Sequence, residues 1–212
     1  MATVPAGHPE KPQGEDGRKL LLRMNGGGHE ELANWGLDLL GLTGTEQQLL
    51  DVGCGGGANL QRLMERVPHA QVTGIDYSPV SVQLSSEVNA EAIAAGRCRV
   101  LEANVLALPF EDDSFDVATA FETIYFWPDT LAGLMEVHRV LKPGGHLLVS
   151  NDDDGTSSTA RDIAQQIEGM KLFTAGQLEE LLQSAGFARV HVHNDEEGRL
   201  SAIAVKADAH AS

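Results

Sequence analysis

The stretch LLDVGCGGGANL, residues 49–60, decides the fold class because it joins an apolar strand to a glycine-rich turn and the start of a helix. Its alternate glycines, Gly53, Gly55 and Gly57, let the backbone turn tightly and lie against a ligand without intervening side chains. Such a turn after a first strand is typical of cofactor sites in α/β proteins. The loop alone leaves two cofactors open, a nicotinamide dinucleotide and S-adenosylmethionine.

The dinucleotide interpretation rests on a short fingerprint. Gly53, Gly55 and Ala58 fit G-x-G-x-x-A, and Asp76 stands where that fingerprint expects the ribose-binding acid. Asp51 weighs against this interpretation, because a carboxylate directly before the glycines repels a pyrophosphate but suits the ammonium group of a methionine moiety. A nicotinamide-dependent oxidoreductase also needs a catalytic Tyr–Lys or similar pair, and we locate none in the sequence.

Strand-like and helix-like patterns alternate along the rest of the chain, which predicts a sheet covered by helices on both faces. The last two apolar runs, ARVHVH and LSAIAVK, are joined by a short polar turn and must pair antiparallel. The expected fold is an α/β, Rossmann-like, doubly wound sheet of seven strands, mostly parallel with an antiparallel C-terminal hairpin. We expect a flexible tail over residues 1–20, the domain over residues 21–207 with a helical lid over residues 21–47, and a second tail over residues 208–212.

Composition restricts the partners and the compartment. Thirty-one acidic against fifteen basic residues give a net charge of −16, which argues against a nucleic-acid substrate and serves either solubility or the attraction of cationic substrates. No apolar run approaches the roughly 20 residues that span a bilayer, so we expect no membrane partner. The two cysteines form no disulfide framework, and the N-terminal residues lack a secretory signal. We therefore predict a cytoplasmic protein.

Four segments, in order, resemble the class I S-adenosylmethionine-dependent methyltransferases: LLDVGCGGG, GIDYSP, NVLALPFEDDSFDVATAFE and EVHRVLKPGGHLLVS. The resemblance covers residues 48–206 and points to the small-molecule enzymes of that class. It implies a seven-stranded sheet whose last inserted strand is antiparallel, in agreement with the predicted hairpin. It also implies S-adenosyl-L-methionine as the cofactor and methyl transfer by in-line displacement as the reaction.

Carried over onto the matching positions, the resemblance implies a cofactor site at the ends of the first four strands. Asp76 would take both ribose hydroxyls, and Asn104 stands where the family often has an aspartate near the adenine amino group. Cys54 lies inside the loop, although its own side chain is better interpreted as a small buried filler. The implied cofactor-binding residues are Asp51, Gly53, Cys54, Gly55, Gly57, Asp76, Tyr77, Ser78, Asn104, Val105 and Phe121.

Catalytic and acceptor-binding residues are expected at the same edge of the sheet. His29 is a candidate base near neutral pH, or else a residue that caps a helix or faces water. Glu122 is a candidate base, an anchor for a cationic acceptor or a surface acid, and Tyr125 is a third catalytic candidate. The candidate substrate contacts are Asn25, Trp35, Trp127 and Asn151, although Trp127 is equally suited to packing a helix on the sheet.

The sequence thus favours an S-adenosylmethionine-dependent methyltransferase for a small-molecule acceptor, acting as a monomer or homodimer and without a metal. Asp152, Asp153 and Asp154 are consecutive and rarely point at one ion, so a solvated loop is the better interpretation. Methyl transfer needs alignment and the exclusion of water, and it needs a base only where the acceptor must first lose a proton. Two alternatives stay open: an NAD-dependent oxidoreductase, and a non-catalytic protein that binds S-adenosylmethionine.

Overall fold

The computed structural model describes residues 7–208, and within them seven strands form one sheet. The strands are β1 (Gln48–Val52), β2 (Gln71–Asp76), β3 (Cys98–Glu102), β4 (Phe115–Phe121), β5 (Leu141–Asn151), β6 (Arg189–Asn194) and β7 (Leu200–Val205). Their order across the sheet is β3-β2-β1-β4-β5-β7-β6. The first five strands pair parallel, whereas β7 pairs antiparallel with both β5 and β6. The predicted fold, including the antiparallel C-terminal hairpin, is confirmed.

The helices of the described residues connect the strands and begin at signals that the sequence carries. They are α1 (Gly14–Met24), α2 (Gly28–Leu40), α3 (Ala58–Arg66), α4 (Pro79–Val88), α5 (Ala90–Ala94), α6 (Thr130–Val140), α7 (Ser158–Ala164) and α8 (Ala175–Ser184), with a short 3₁₀ turn at Ile124–Phe126. At α4, the Ser78 side chain accepts a hydrogen bond from the Ser81 amide and Pro79 follows it at the first helical position. At α8, Thr174 and Gln177 form a reciprocal capping box.

Two apolar layers cover the sheet, one on each face. Neighbouring residues of a strand point to opposite faces, so Leu49 belongs to one buried cluster and Leu50 to the other. Leu60 and Leu63 of α3 pack in the cluster of Leu49, while α6 and α8 contribute Leu134 and other residues to the cluster of Leu50. Burial on both faces holds the strand ends in fixed positions, and the carboxyl ends of the parallel strands form one edge.

The predicted N-terminal tail over residues 1–20 is wrong from residue 14 onward, because α1 begins at Gly14. Leu20 and Leu21 are 5% and 2% exposed, so this helix is tied down by burial. The helical segment predicted as a lid over residues 21–47 begins earlier, at Gly14, and consists of two helices, α1 and α2; its role as a lid stays a prediction. Residues 1–6 of the predicted tail, and residues 209–212 of the predicted C-terminal tail, lie outside the described residues. No helix within residues 7–208 has the length and apolar character required to cross a membrane.

Candidate active site

The glycine loop, residues 53–57, carries the chain from the end of β1 to the start of α3. Gly53 has a φ of +78°, and a Cβ atom added there would lie 2.3 Å from Thr123 Oγ1, so a larger residue would displace that side chain. The amides of Gly53 and Cys54 donate to the Ile75 carbonyl at 2.8 and 2.9 Å. The loop is thereby fixed to the end of β2.

Asp76 is the last residue of β2 and faces this loop. Its Oδ2 accepts a hydrogen bond from the Gly55 amide at 3.0 Å, and its Oδ1 accepts one from the Ser78 amide at 2.9 Å. Burial raises the pKa of the carboxyl, and these amide donors oppose the shift. An ionised carboxylate offers about four acceptor positions. Two of them are used by the amides, which leaves acceptor capacity for a ligand that donates from neighbouring hydroxyls.

A cavity of about 130 Å³, which we call the strand-end cavity, is lined by residues at the carboxyl ends of β1, β2 and β4. Residues 9–12 complete its lining, through Pro9, Glu10 and Pro12. The Ser78 hydroxyl donates to the Pro12 carbonyl at 2.6 Å, and the Tyr77 hydroxyl donates to the Glu10 carbonyl. The predicted site residues that line this cavity are Gly53, Gly55, Asp76, Tyr77, Asn104, Val105, Phe121, Glu122 and Trp127.

A smaller cavity of about 60 Å³, the loop cavity, shares Gly53, Gly55 and Phe121 with the strand-end cavity. Asn25, a predicted substrate contact, lines it and donates from Nδ2 to the Gly56 carbonyl at 2.9 Å. Arg62 of α3 also lines it, with 12% of its side chain exposed. Sequence analysis missed this arginine. Its position on the first turns of the helix after the glycine loop is the signal that points to it.

Three predicted cofactor residues, Asp51, Gly57 and Ser78, are absent from the linings of the three cavities described in this section. Asp51 is 1% exposed, its Oδ1 accepts a hydrogen bond from Thr119 Oγ1 at 2.6 Å, and its Oδ2 is buried without a partner. Burial raises the pKa of Asp51 to about 7. Cys54 does line the loop cavity, and burial raises the pKa of its thiol well above the usual range.

Glu122 follows β4 in an unusual backbone conformation. Its φ is +53°, which is rare for residues other than glycine, and its amide donates to the Ser150 carbonyl at 2.8 Å. The side chain is 8% exposed, and one carboxylate oxygen contacts His29 Nδ1. The hydrogen bond to Glu122 raises the pKa of His29 above its usual 6.5, although burial acts in the opposite direction. Strained conformations of this kind cluster at functional sites.

A third cavity of about 330 Å³, the apolar cavity, has the size of a small-molecule site. Four residues predicted as catalytic or substrate-binding line this cavity: His29, Glu122, Tyr125 and Asn151. Asp152 lines it as well. Burial raises the pKa of Tyr125 well above 10, so its phenol stays protonated over the physiological range. Glu122 lines all three cavities, and His29 lines the loop cavity and the apolar cavity.

The two predicted tryptophans lie in different surroundings. Trp127 lines the strand-end cavity, and its ring also lies against α6, where a Cβ added to Gly133 would come within 2.7 Å of Trp127 Cε3. Both roles considered for this residue are therefore compatible with its position. Trp35 lines none of the three cavities, and the guanidinium of Arg199 lies 5.7 Å from its ring centroid. The structure does not bring Trp35 together with the other predicted substrate contacts.

The acidic residues after β5 are engaged within their own loop. Asp153 Oδ1 accepts a hydrogen bond from the Gly155 amide at 2.7 Å, and Asp154 Oδ1 accepts one from the Thr156 amide at 3.0 Å. In the part of the chain that the structure describes, no group of three or more His, Cys, Asp or Glu side chains is placed to hold a metal ion.

Residues 50–149 match the family described as "Methyltransferase domain". The matched segment contains the glycine loop, Asp76 and Glu122, which line the strand-end cavity. The chain carries a class I S-adenosylmethionine-dependent methyltransferase domain. The strand order of this methyltransferase domain also differs from the six-stranded parallel sheet of the dinucleotide-binding fold, because β7 is inserted antiparallel between β5 and β6. The family match therefore does not support the oxidoreductase alternative.

Relatives of the methyltransferase domain include fungal and bacterial proteins. The O-methyltransferase cnsE of Penicillium expansum is 32% identical over 149 residues, which are 69% of this chain and 54% of that protein. The demethylmenaquinone methyltransferase of Thermus thermophilus is 38% identical over 111 residues, 52% of this chain and 49% of that protein. The chain thus spans about half the length of the curated relatives it matches.

Solved structures show the same fold. A SAM-dependent methyltransferase from Aquifex aeolicus has a TM-score of 0.73 and 21% identity, with 89% of this chain and 97% of that chain covered. The methyltransferase domain therefore shares its architecture over nearly the whole of that protein.

Proposed function

We propose that this protein transfers a methyl group from S-adenosylmethionine to a small molecule bound in the apolar cavity. The observation that carries the proposal is the position of Glu122, which lines all three cavities and contacts His29. A pair of polar side chains at the point where a cofactor site meets an apolar cavity is suited to align an acceptor and to take its proton.

The residues around the first two cavities fit the cofactor. Asp76 retains acceptor capacity for two ribose hydroxyls after its two amide bonds. The apolar side chains Val105, Phe121 and Trp127 suit a flat adenine ring in the strand-end cavity. Arg62 lines the loop cavity and is the cation placed to receive the methionine carboxylate. When bound, S-adenosylmethionine supplies a methyl carbon activated by a positively charged sulfur.

The chain's own contribution is positioning and proton transfer. Glu122 at His29 Nδ1 favours the tautomer that carries the proton on Nδ1, which leaves Nε2 as an acceptor. Neutral His29 then takes a proton from the acceptor, and Glu122 stabilises the imidazolium that forms. Tyr125 acts as a hydrogen-bond donor, because its high pKa keeps the phenol protonated. The apolar lining excludes water from the reacting atoms.

We further propose the acceptor class, the cellular compartment and the oligomeric state. The net charge of −16 supports an acceptor other than a nucleic acid, and the buried free thiols of Cys54 and Cys98 suit a reducing cytoplasm. The protein is proposed to act as a monomer or homodimer. Light scattering after size-exclusion chromatography measures that state directly, and a larger assembly would contradict this part.

Calorimetric titration with S-adenosylhomocysteine, with NAD as a second ligand, tests the cofactor assignment. We expect micromolar binding of S-adenosylhomocysteine and none of NAD. Asp76→Ala should abolish binding, whereas Asp162→Ala, which removes an exposed carboxylate on α7, should leave binding unchanged. Binding of NAD, or full binding of S-adenosylhomocysteine by Asp76→Ala, would contradict the assignment.

A further inference from the structure

The apolar cavity has a wall and a polar end of different character. Its wall is formed by apolar side chains such as Met24, Ile163 and Phe173. Its polar end is formed by His29, Glu122, Asn151 and Asp152, and no lysine or arginine is found among the described residues that line the cavity. A ligand carrying a carboxylate or phosphate would place an uncompensated negative charge in this cavity.

The Asn151 side chain indicates which kind of ligand group the polar end of the cavity would bind. Asn151 is 3% exposed, and its Oδ1 is buried without a hydrogen-bond partner although the residue lines the cavity. A buried acceptor without a donor is costly, so a ligand that donates a hydrogen bond there is favoured. The carboxylate oxygens of Glu122 and Asp152 are acceptors as well. The bound group should therefore be a donor in more than one direction.

The charges at this end do not balance without a ligand. Neutral His29, the form proposed to accept a proton, contacts Glu122, and Asp152 lies beside that pair. Asp152 lines the cavity, and desolvation by burial, the Glu122 charge and a hydrogen bond with Glu122 raise the pKa of its carboxyl to about 7, so a positively charged ligand there would favour its ionised form. Arg199 lies nearby in a side cavity shared with Asp152, but it is paired with Asp195, Glu197 and Glu31. Three carboxyl groups, those of Glu122, Asp152 and Asp153, therefore line the cavity without a lysine or arginine among the described residues of its lining.

We propose that the methyl acceptor is an amine carried on an apolar body, and that its nitrogen binds between Asp152 and Asn151. This inference rests on the proposed function, because it names the acceptor of the same site. An ammonium group supplies the missing positive charge and donates in several directions, which an alcohol does only once. The net charge of −16 attracts such a cation from solution.

The reaction balances with the groups already named. The ammonium loses one proton to His29 Nε2 and becomes a neutral amine. Its lone pair then forms a bond to the methyl carbon while the carbon–sulfur bond breaks and its electron pair stays on sulfur. The sulfonium becomes a neutral thioether, the amine becomes a methylated ammonium, and His29 returns its proton to solvent through the side cavity.

A matched series of ligands tests the acceptor class. Phenethylamine, phenethyl alcohol and phenylpropanoate share one apolar body, as do tryptamine, tryptophol and indole-propionate. Binding of each at millimolar concentration is measured by calorimetry on the full chain, with and without S-adenosylhomocysteine, and methyl transfer from S-adenosylmethionine is followed by mass spectrometry. We expect the amine of each set to bind at least about tenfold more tightly than the alcohol. The carboxylates should not bind.

The variant Asp152→Asn isolates the charge, with Asp162→Asn as the matched control. In Asp152→Asn the preference for amine over alcohol should fall to within about threefold, while S-adenosylhomocysteine binds as in the wild type and shows that the fold is intact. Equal or tighter binding of the alcohol or carboxylate, an unchanged preference in Asp152→Asn, or no binding of either amine would overturn the proposal. If the wild type does not bind S-adenosylhomocysteine, the proposed function is overturned instead. The acceptor series measured without S-adenosylhomocysteine still tests the preference for an amine.

Discussion

The glycine loop and the apolar cavity lie side by side at one edge of the sheet, but the first is formed by residues close in sequence and the second by residues far apart in sequence. The loop, Asp76 and Ser78 lie within 26 residues of one another in the chain, and the amides of Gly55 and Ser78 donate hydrogen bonds to the Asp76 carboxylate. The apolar cavity takes its lining from α1, α2, the 3₁₀ turn, the end of β5 and α7. Its central contact joins His29 to Glu122, which are 93 residues apart in the chain. Local backbone geometry sets the first region, and long-range packing sets the second.

The largest expected effect separates catalysis from cofactor binding. His29→Asn removes the proposed base, so kcat with the amine acceptor should fall by about 10²–10⁴-fold. The affinity for S-adenosylhomocysteine should change by less than about tenfold, because Asp76 and Arg62 are the residues proposed to hold the cofactor, although His29 also lines the loop cavity. Steady-state kinetics and calorimetry measure the two quantities. His69→Asn, an exposed histidine before β2, is the control, and an unchanged kcat in His29→Asn would rule out the base.

The pH profile of the same pair of proteins checks the direction of proton transfer. The pKa of His29 is raised above 6.5, and the form proposed to act as the base is the neutral one. The rate should therefore fall as the pH drops through that pKa and rise above it. Glu122 and Asp152 favour the protonated form and Arg62 opposes it, so all three groups affect the midpoint. At saturating acceptor, where the titration of Asp152 affects binding and not the chemical step, this rising limb should be missing in His29→Asn.

The next effect concerns the rigidity of the loop. Gly53→Ala places a Cβ at a φ of +78° and against Thr123, so the free energy of unfolding should fall by about 2–4 kcal/mol. S-adenosylhomocysteine binding should be lost with it. Chemical denaturation measures the stability. Gly176→Ala is the matched control. Gly176 lies on α8, and a Cβ added there would have no neighbouring atom within 4 Å. Equal stability of the two variants would contradict the account of the loop.

A smaller effect divides the cofactor site itself. Arg62→Gln should weaken S-adenosylhomocysteine binding about tenfold, the size of one lost charge-assisted hydrogen bond. Methylthioadenosine, which lacks the amino-acid part, should bind as before. Arg66→Gln, one turn further along α3 and bonded to Asn34 and Asp38, is the control. An equal loss for both ligands would show that Arg62 supports the fold instead of the carboxylate.

The smallest effect concerns the contact of the N-terminal segment. Lys11 Nζ lies 5.2 Å from the ring centroid of Tyr77, a cation–π contact worth about 0.5–1 kcal/mol at an exposed site. Lys11→Ala should therefore weaken S-adenosylhomocysteine binding by less than about fivefold. Lys19→Ala, on the exposed side of α1, is the control in the same titration. A loss of more than tenfold would show that Lys11 contacts the cofactor directly.

The sequence predicts the two regions unequally, for the same physical reason. Gly53 and Asp76 are recognisable because their roles follow from backbone conformation and from strand ends, which short motifs specify. His29 and Glu122 are both predicted as candidates from the sequence, but their contact is not, since it depends on how α2 packs against β5, beside the residue that follows β4. Asp152 is missed because a run of acids usually marks a solvated loop. Residues 9–12 are missed because their proline and charge content is typical of a tail.

The N-terminal segment, residues 9–12, limits how far the chain can be shortened without affecting the cavities. Pro9 lines both the strand-end cavity and the apolar cavity, and Ser78 and Tyr77 hold its neighbours in place. A chain shortened to the motif-bearing part would keep the sheet but lose one wall from each compartment. Fusion partners and purification tags placed near residue 9 would lie beside both proposed ligands and should lower their affinity.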